Sequence, residues 1–211
     1  MMMAFLVGCA DKSGENSGTN DSVINNSSTT ENTSDATETE SVSEDNGSEQ
    51  DGFPNMKAAV VYFSGTGNTK AVAEVMAEKT EADIYEIIPS EEYTDVDLNY
   101  NDNNCRANKE QNDDTSRPEI RNDLSATCDY DAIYLGYPIW WGTVPRIIQT
   151  YIEQYDLSDV TIYTFCTSGS SGIERSIQDL QEWYPDINIV SGKRFDGADE
   201  SDIQAWLDSL N

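Results

Sequence analysis

The stretch VVYFSGTGNTKAVAEVM, residues 60–76, decides the fold: an apolar run stops in a cluster of small hydroxyl residues and glycines, then resumes at helical spacing. Residues 57–63 are β-favouring and do not alternate with polar residues, the pattern of a strand covered on both faces. After the cluster, Val72, Val75, Met76 and Lys79 fall at helical intervals. In Ser64-Gly65-Thr66-Gly67-Asn68-Thr69 the glycines let successive N–H groups converge, and the next helix presents its positive end. Hydroxyls at Ser64, Thr66 and Thr69 add neutral donors. Neither rival phosphate motif is met: Gly65 and Gly67 are too close for G-x-x-x-x-G-K-[ST], and Lys70 stands where G-x-G-x-x-G needs its third glycine. Taken alone, the cluster reads equally well as an anion cradle or as a glycine-rich capped turn.

Outward from this stretch the same alternation continues. Apolar runs at DIYEIIP (83–89), DAIYLGYP (131–138), VTIYTFC (160–166) and INIV (187–190) predict four more strands. Helical spacing marks residues 144–155, with Pro145 in the first turn, then 173–184 and 203–210. A short helix is expected near 102–112, inside a long polar connection. Strands alternating with helices predict an α/β fold, a doubly wound three-layer sandwich on a five-stranded parallel sheet. Ligands in such folds sit beyond the carboxyl ends of the strands, so the loops there are the candidate site.

Composition narrows the function classes. The 211 residues carry a formal charge of −28, which makes nucleic acid and anionic membrane surfaces poor partners. The absence of histidine removes Ser-His-Asp and Cys-His catalysis and histidine metal sites. Cys105, Cys128 and Cys166 are widely spaced without C-x-x-C, so neither a zinc site nor a disulfide framework is indicated. Cys166 reads as a buried strand-end residue with no base beside it. Asp95, Asp97 and Asn99 have calcium-loop spacing, but Tyr100 replaces the glycine and Arg106 the glutamate that such a loop requires. Arg106, Arg117 and Arg121 serve in surface ion pairs or, on the sharper reading, place one cation over the site.

Three segments are expected: residues 1–9, an acidic Ser/Thr/Asn-rich disordered tether at 10–52, and a folded domain at 53–211. Leu6-Val7-Gly8-Cys9 resembles the lipobox of bacterial lipoproteins, in which Cys9 would be lipidated. It departs from a working signal in having no Lys or Arg before Cys9. The resemblance implies a lipid anchor to the bacterial cell membrane on its extracytoplasmic face; an accidental match leaves the chain cytoplasmic.

Two further loops complete the candidate site. Pro138-Ile139-Trp140-Trp141-Gly142 follows the third strand, where paired tryptophans are more than a core needs and Trp140 reads as the one that packs under the helix. Thr167, Ser168, Gly169 and Gly172 follow the fourth strand and offer backbone N–H and hydroxyl groups. Together these features resemble the flavodoxin family. Strand, then S-G-T-G-N-T, then helix is similar to the FMN-phosphate loop, with S/T-x-T-G-x-T at Ser64, Thr66, Gly67 and Thr69. Trp141-Gly142 matches the W-G position that places an aromatic ring on the isoalloxazine, and P-x-W-x-G-x-x-P resembles the loop of FMN-dependent NAD(P)H:quinone reductases. The resemblance implies strand order 2-1-3-4-5 and FMN held by Ser64 to Thr69, Pro138 to Gly142, Thr167, Ser168, Gly169 and Gly172. It implies flavin chemistry without a catalytic side chain, and a redox protein or small molecule as partner. Loop three has Ser and Gly where flavodoxins usually carry a second stacking Tyr, which suits an open flavin face and an oxidoreductase more than a pure carrier. The alternative is a non-redox extracellular binding module on the same fold.

Overall fold

A computed structural model describes residues 56–210. Cys9, the 10–52 tether and the first residues of the expected domain lie outside the described residues. The elements follow in the order β1 (Ala58–Tyr62), α1 (Asn68–Thr80), β2 (Asp83–Glu86), α2 (Arg106–Gln111), β3 (Ala132–Pro138), α3 (Arg146–Gln154), β4 (Thr161–Thr167), α4 (Glu174–Trp183), β5 (Asn188–Phe195) and α5 (Glu200–Asp208). All neighbouring strand pairs are parallel, and the sheet order is β2-β1-β3-β4-β5. The expected doubly wound sandwich is therefore present, with its strand order.

The two-residue period of the strands builds two cores. Val61, Ile133, Leu135, Tyr137, Ile162 and Cys166 face one layer, where Ile147, Ile148 and Tyr151 of α3 and Leu180 of α4 meet them. Val60, Tyr62, Tyr134 and Phe165 face the other, against Val72, Ala73 and Met76 of α1 and Ile203, Trp206 and Leu207 of α5. Central strands covered on both sides need apolar residues at nearly every position, which is why β1 and β3 read as unbroken apolar runs.

Two elements differ from the sequence reading. β5 runs on to Phe195 rather than ending at Val190. It is the edge strand, so Ser191, Lys193 and Arg194 can sit half-exposed within it; Lys193 Nζ reaches Asp202 Oδ1 at 2.6 Å. A bulge pairs Ile162 with Ile189 and Tyr163 with Ser191, so Val190 is skipped in the ladder and left exposed. The helix of the long connection is also shorter than expected, at Arg106–Gln111. Among the described residues no helix is long and apolar enough to cross a membrane.

Candidate functional site

A cavity of about 600 Å³ opens at the carboxyl ends of β1, β3 and β4, where the topology places it. The turn after β1 gives it Gly65, Thr66 and Asn68; the end of β3 gives Pro138, Ile139 and Trp140; the end of β4 gives Thr167, Ser168 and Gly169. The three expected loops thus meet in one space.

The first loop is set by its backbone. Gly67 caps α1 in the left-handed conformation (φ 87°), a region where a side chain would be strained, and a Cβ there would meet nothing within 4 Å. No side chain caps this helix. The first N–H groups of a helix have no partner within it, so α1 offers donors and the positive end of its dipole at the loop. Ser64 Oγ accepts from the Gly67 N–H at 3.0 Å, and Asn68 Nδ2 donates to Thr66 Oγ1 at 3.0 Å, which holds the turn in shape. At Gly65 a Cβ would lie 3.2 Å from Trp140 and 3.3 Å from Leu98, so a larger residue would press on the neighbouring loops. Thr69 is buried, its hydroxyl 2.8 Å from Thr167 Oγ1; it ties the first loop to the third instead of lining the cavity.

In the second loop, Trp140 is buried edge-on against Phe63 (5.4 Å between centroids) and Tyr93 (5.0 Å), as a core residue would be, and its edge still reaches the cavity. Trp141 and Gly142 form the two central positions of a tight turn, both with positive φ (47° and 85°), closed by Trp140 N–H to Thr143 O at 3.0 Å and Thr143 N–H to Trp140 O at 3.1 Å. Positive φ at both central positions defines a type I′ turn, which favours Asn or Gly and strains a tryptophan. Trp141 and Gly142 are not among the cavity-lining residues.

Gln111, buried on α2, holds this turn. Its Nε2 donates to Trp140 O (3.2 Å) and Val144 O (3.1 Å), while its Oε1 accepts the Arg146 N–H (3.1 Å) at the start of α3, a helix without a side-chain cap. Arg146 answers with its guanidinium on Gln111 O (2.9 Å), Gln149 Oε1 (2.7 Å) and Asp114 Oδ1 (2.5 Å). In the third loop Ser168 Oγ donates to Ser171 O, and Gly172, beside Glu174, lies away from the cavity.

Three lining residues escaped the sequence reading: Leu98, Tyr100 and Asp196. Asp196 is hidden in the sequence because the polar residues Ser191 to Arg194 mask the continuation of β5. Tyr100 drew notice only as a residue that breaks a calcium pattern, and nothing local signals that its ring lies 4.9 Å from that of Trp141.

The electrostatics are unusual for an anion site, since no Lys or Arg of the described residues lines the cavity. Arg106 is paired with Glu110 at 2.7 Å and covers the Tyr93 ring, and Arg117 is paired with Glu153 at 2.7 Å. Arg121 is paired with Glu92 at 3.1 Å beside a separate cavity of about 330 Å³. The surface-pair reading of these arginines is the one the structure shows. Cys166 is fully buried, and burial pushes its thiol up to about 12, so it does not supply a thiolate. The donors of the first loop are neutral, directional and partly main-chain, which suits a phosphate group, and the charged residue of the lining, Asp196, is paired with Arg194.

Comparison with known proteins agrees with this geometry. No curated protein matches the chain. The crystal structure of a presumed flavoprotein from Bacteroides eggerthii is 41% identical, with a TM-score of 0.71, covering 74% of this chain and 98% of that one. A second, from Bacteroides uniformis, is also 41% identical, with a TM-score of 0.70 over 72% of this chain and 97% of its own. A flavoprotein of Lactobacillus acidophilus, solved in complex with FMN, shares the fold at 23% identity and a TM-score of 0.55, covering 72% of this chain and 98% of its own. The sequence profile described as Flavodoxin matches residues 57–210, from the first strand through the last helix and across all three site loops. On that span this chain belongs to the flavodoxin family.

Proposed function

We propose that this chain is an FMN-binding redox protein that exchanges electrons with a partner protein or a small acceptor. The observation that carries the reading is the N-terminus of α1, without a side-chain cap, opening beside Gly65, Thr66 and Asn68 into a cavity that three strand ends share. Main-chain N–H groups of the turn, with Thr66 Oγ and the Asn68 amide, would hold the phosphate. Pro138, Ile139 and the edge of Trp140 would bound the ring system, and Thr167 to Gly169 would meet its polar edge. FMN supplies the electron and hydride chemistry when bound, which is how a chain without histidine can serve redox function. The chain's own part is to exclude water along the apolar wall and to set the local field.

Binding is tested by titrating FMN and riboflavin against the purified protein and following flavin fluorescence. Thr66→Ala should weaken FMN about ten-fold and leave riboflavin unchanged, since one hydrogen bond to a charged group contributes about 1.5 kcal/mol or more. Equal loss of both ligands would contradict the phosphate assignment, and no quenching by the native protein would sink the reading.

The finer reading is an NAD(P)H-dependent reductase of quinones or similar small acceptors. It is supported by the third loop, which has no aromatic ring and leaves open space around Gly169. Anaerobic mixing with NADH or NADPH should bleach the flavin; an unchanged spectrum would leave an electron carrier.

A further inference from the structure

The two exposed rings at the cavity lip do not play the parts that their sequence positions suggest. Trp141 sits at the family's tryptophan position, yet of these two rings the one that lines the cavity is Tyr100, from the long connection between β2 and β3. Their centroids are 4.9 Å apart at an interplanar angle of 37°, which is direct contact. A planar ligand between two rings needs centroids about 7 Å apart, two van der Waals separations, so none fits between these.

The two rings are also held differently. Trp141 is fixed by a closed turn in a strained conformation, and Gln111 bonds the carbonyls on both sides of it. Tyr100 lies 58% exposed in a run of turns, where the hydrogen bonds beside it are local ones such as Asn101 N–H to Asn99 Oδ1 at 3.1 Å. A rigid ring behind an adjustable one is suited to closing on a flat ligand from one side.

Resting on the flavin reading of the cavity, we propose that Tyr100 is the aromatic face laid against the isoalloxazine, with Trp141 as its fixed backing. The bottom of the cavity then holds the phosphate, and the β2–β3 connection supplies the aromatic wall on the second-loop side, leaving the third-loop side open. Desolvation raises the Tyr100 hydroxyl above its ordinary value, consistent with a neutral ring at this wall.

The test is a set of titrations with FMN and riboflavin on the native chain and on Tyr100→Ala, Tyr100→Leu, Tyr100→Phe and Trp141→Phe. Tyr100→Ala and Tyr100→Leu should each weaken both ligands about five-fold, the worth of one aromatic contact, and Tyr100→Phe should bind like the native chain. Trp141→Phe keeps a backing ring and should change affinity less than two-fold. Because Tyr100 is exposed, the ligand-free variants should keep the native melting temperature. If Tyr100→Ala and Tyr100→Leu bind both flavins as well as the native chain does, the assignment is overturned while the flavin reading stands. It is equally overturned if Trp141→Phe costs more than Tyr100→Ala. A native chain that binds neither flavin overturns both.

Discussion

The turn after β1 and the connection from β2 to β3 both reach the cavity, but the turn presents main-chain groups and the connection presents side chains. Residues 64–69 carry no ionisable group, and their function follows from where glycines permit the backbone to go. The connection, residues 87–131, delivers Leu98 and Tyr100 to the cavity and Gln111 to the turn behind it, three residues with no shared motif. A backbone site is readable from a short pattern; a side-chain site becomes visible only once distant residues are brought together.

The largest effect expected from breaking this contrast is at Gln111. Gln111→Leu would leave Val144 O and the Arg146 N–H buried without their present partner, at about 3 kcal/mol for the two. The melting temperature should fall by roughly 6–12 °C. An unchanged melting curve would mean that the connection does not hold the second loop. A smaller effect, of opposite sign, is expected at the turn itself. Asn-Gly is the preferred pair for a type I′ turn, so Trp141→Asn should stabilise the ligand-free protein by up to about 1 kcal/mol while loosening Tyr100 and weakening flavin binding. A loss of stability there would show that the tryptophan ring contributes more than its backbone strain costs.

The smallest effect separates the two regions by pH. The Asp97 carboxylate accepts from the Thr94 hydroxyl (2.6 Å) and N–H (2.9 Å), and these bonds hold it below the usual aspartate value. A depressed folded value means that its stabilisation is complete above the ordinary aspartate range and is lost as the pH falls through the folded value. Asp97→Asn should therefore lower the melting temperature slightly at neutral pH and not at all in strong acid. The turn after β1 has no group that could give a matching profile.

The same contrast explains what the sequence made legible. The element order and the three strand-end loops follow from unbroken apolar runs and from glycines at fixed places, and the strand order from the resemblance to flavodoxins. β5 was cut short because Ser191 to Arg194 are polar, and an edge strand tolerates what a central one does not. In the sequence the Thr69 hydroxyl looks available within a phosphate-loop pattern, because its partner, Thr167, is 98 residues away in the chain. Tyr100 was invisible for a related reason, since stacking on Trp141 has no local signature.

Among the described residues no Lys or Arg lines the cavity, and this bears on how the protein should respond to its medium. A site that grips an anion with basic side chains loses it as salt rises, because the attraction is screened. On the proposed reading the holding groups would be neutral dipoles, while Asp196 in the lining and the long-range field of a chain with net charge −28 would oppose an anionic ligand. Ionic strength would then screen the repulsion and spare the grip, so a saline environment would aid the retention of the proposed phosphorylated cofactor.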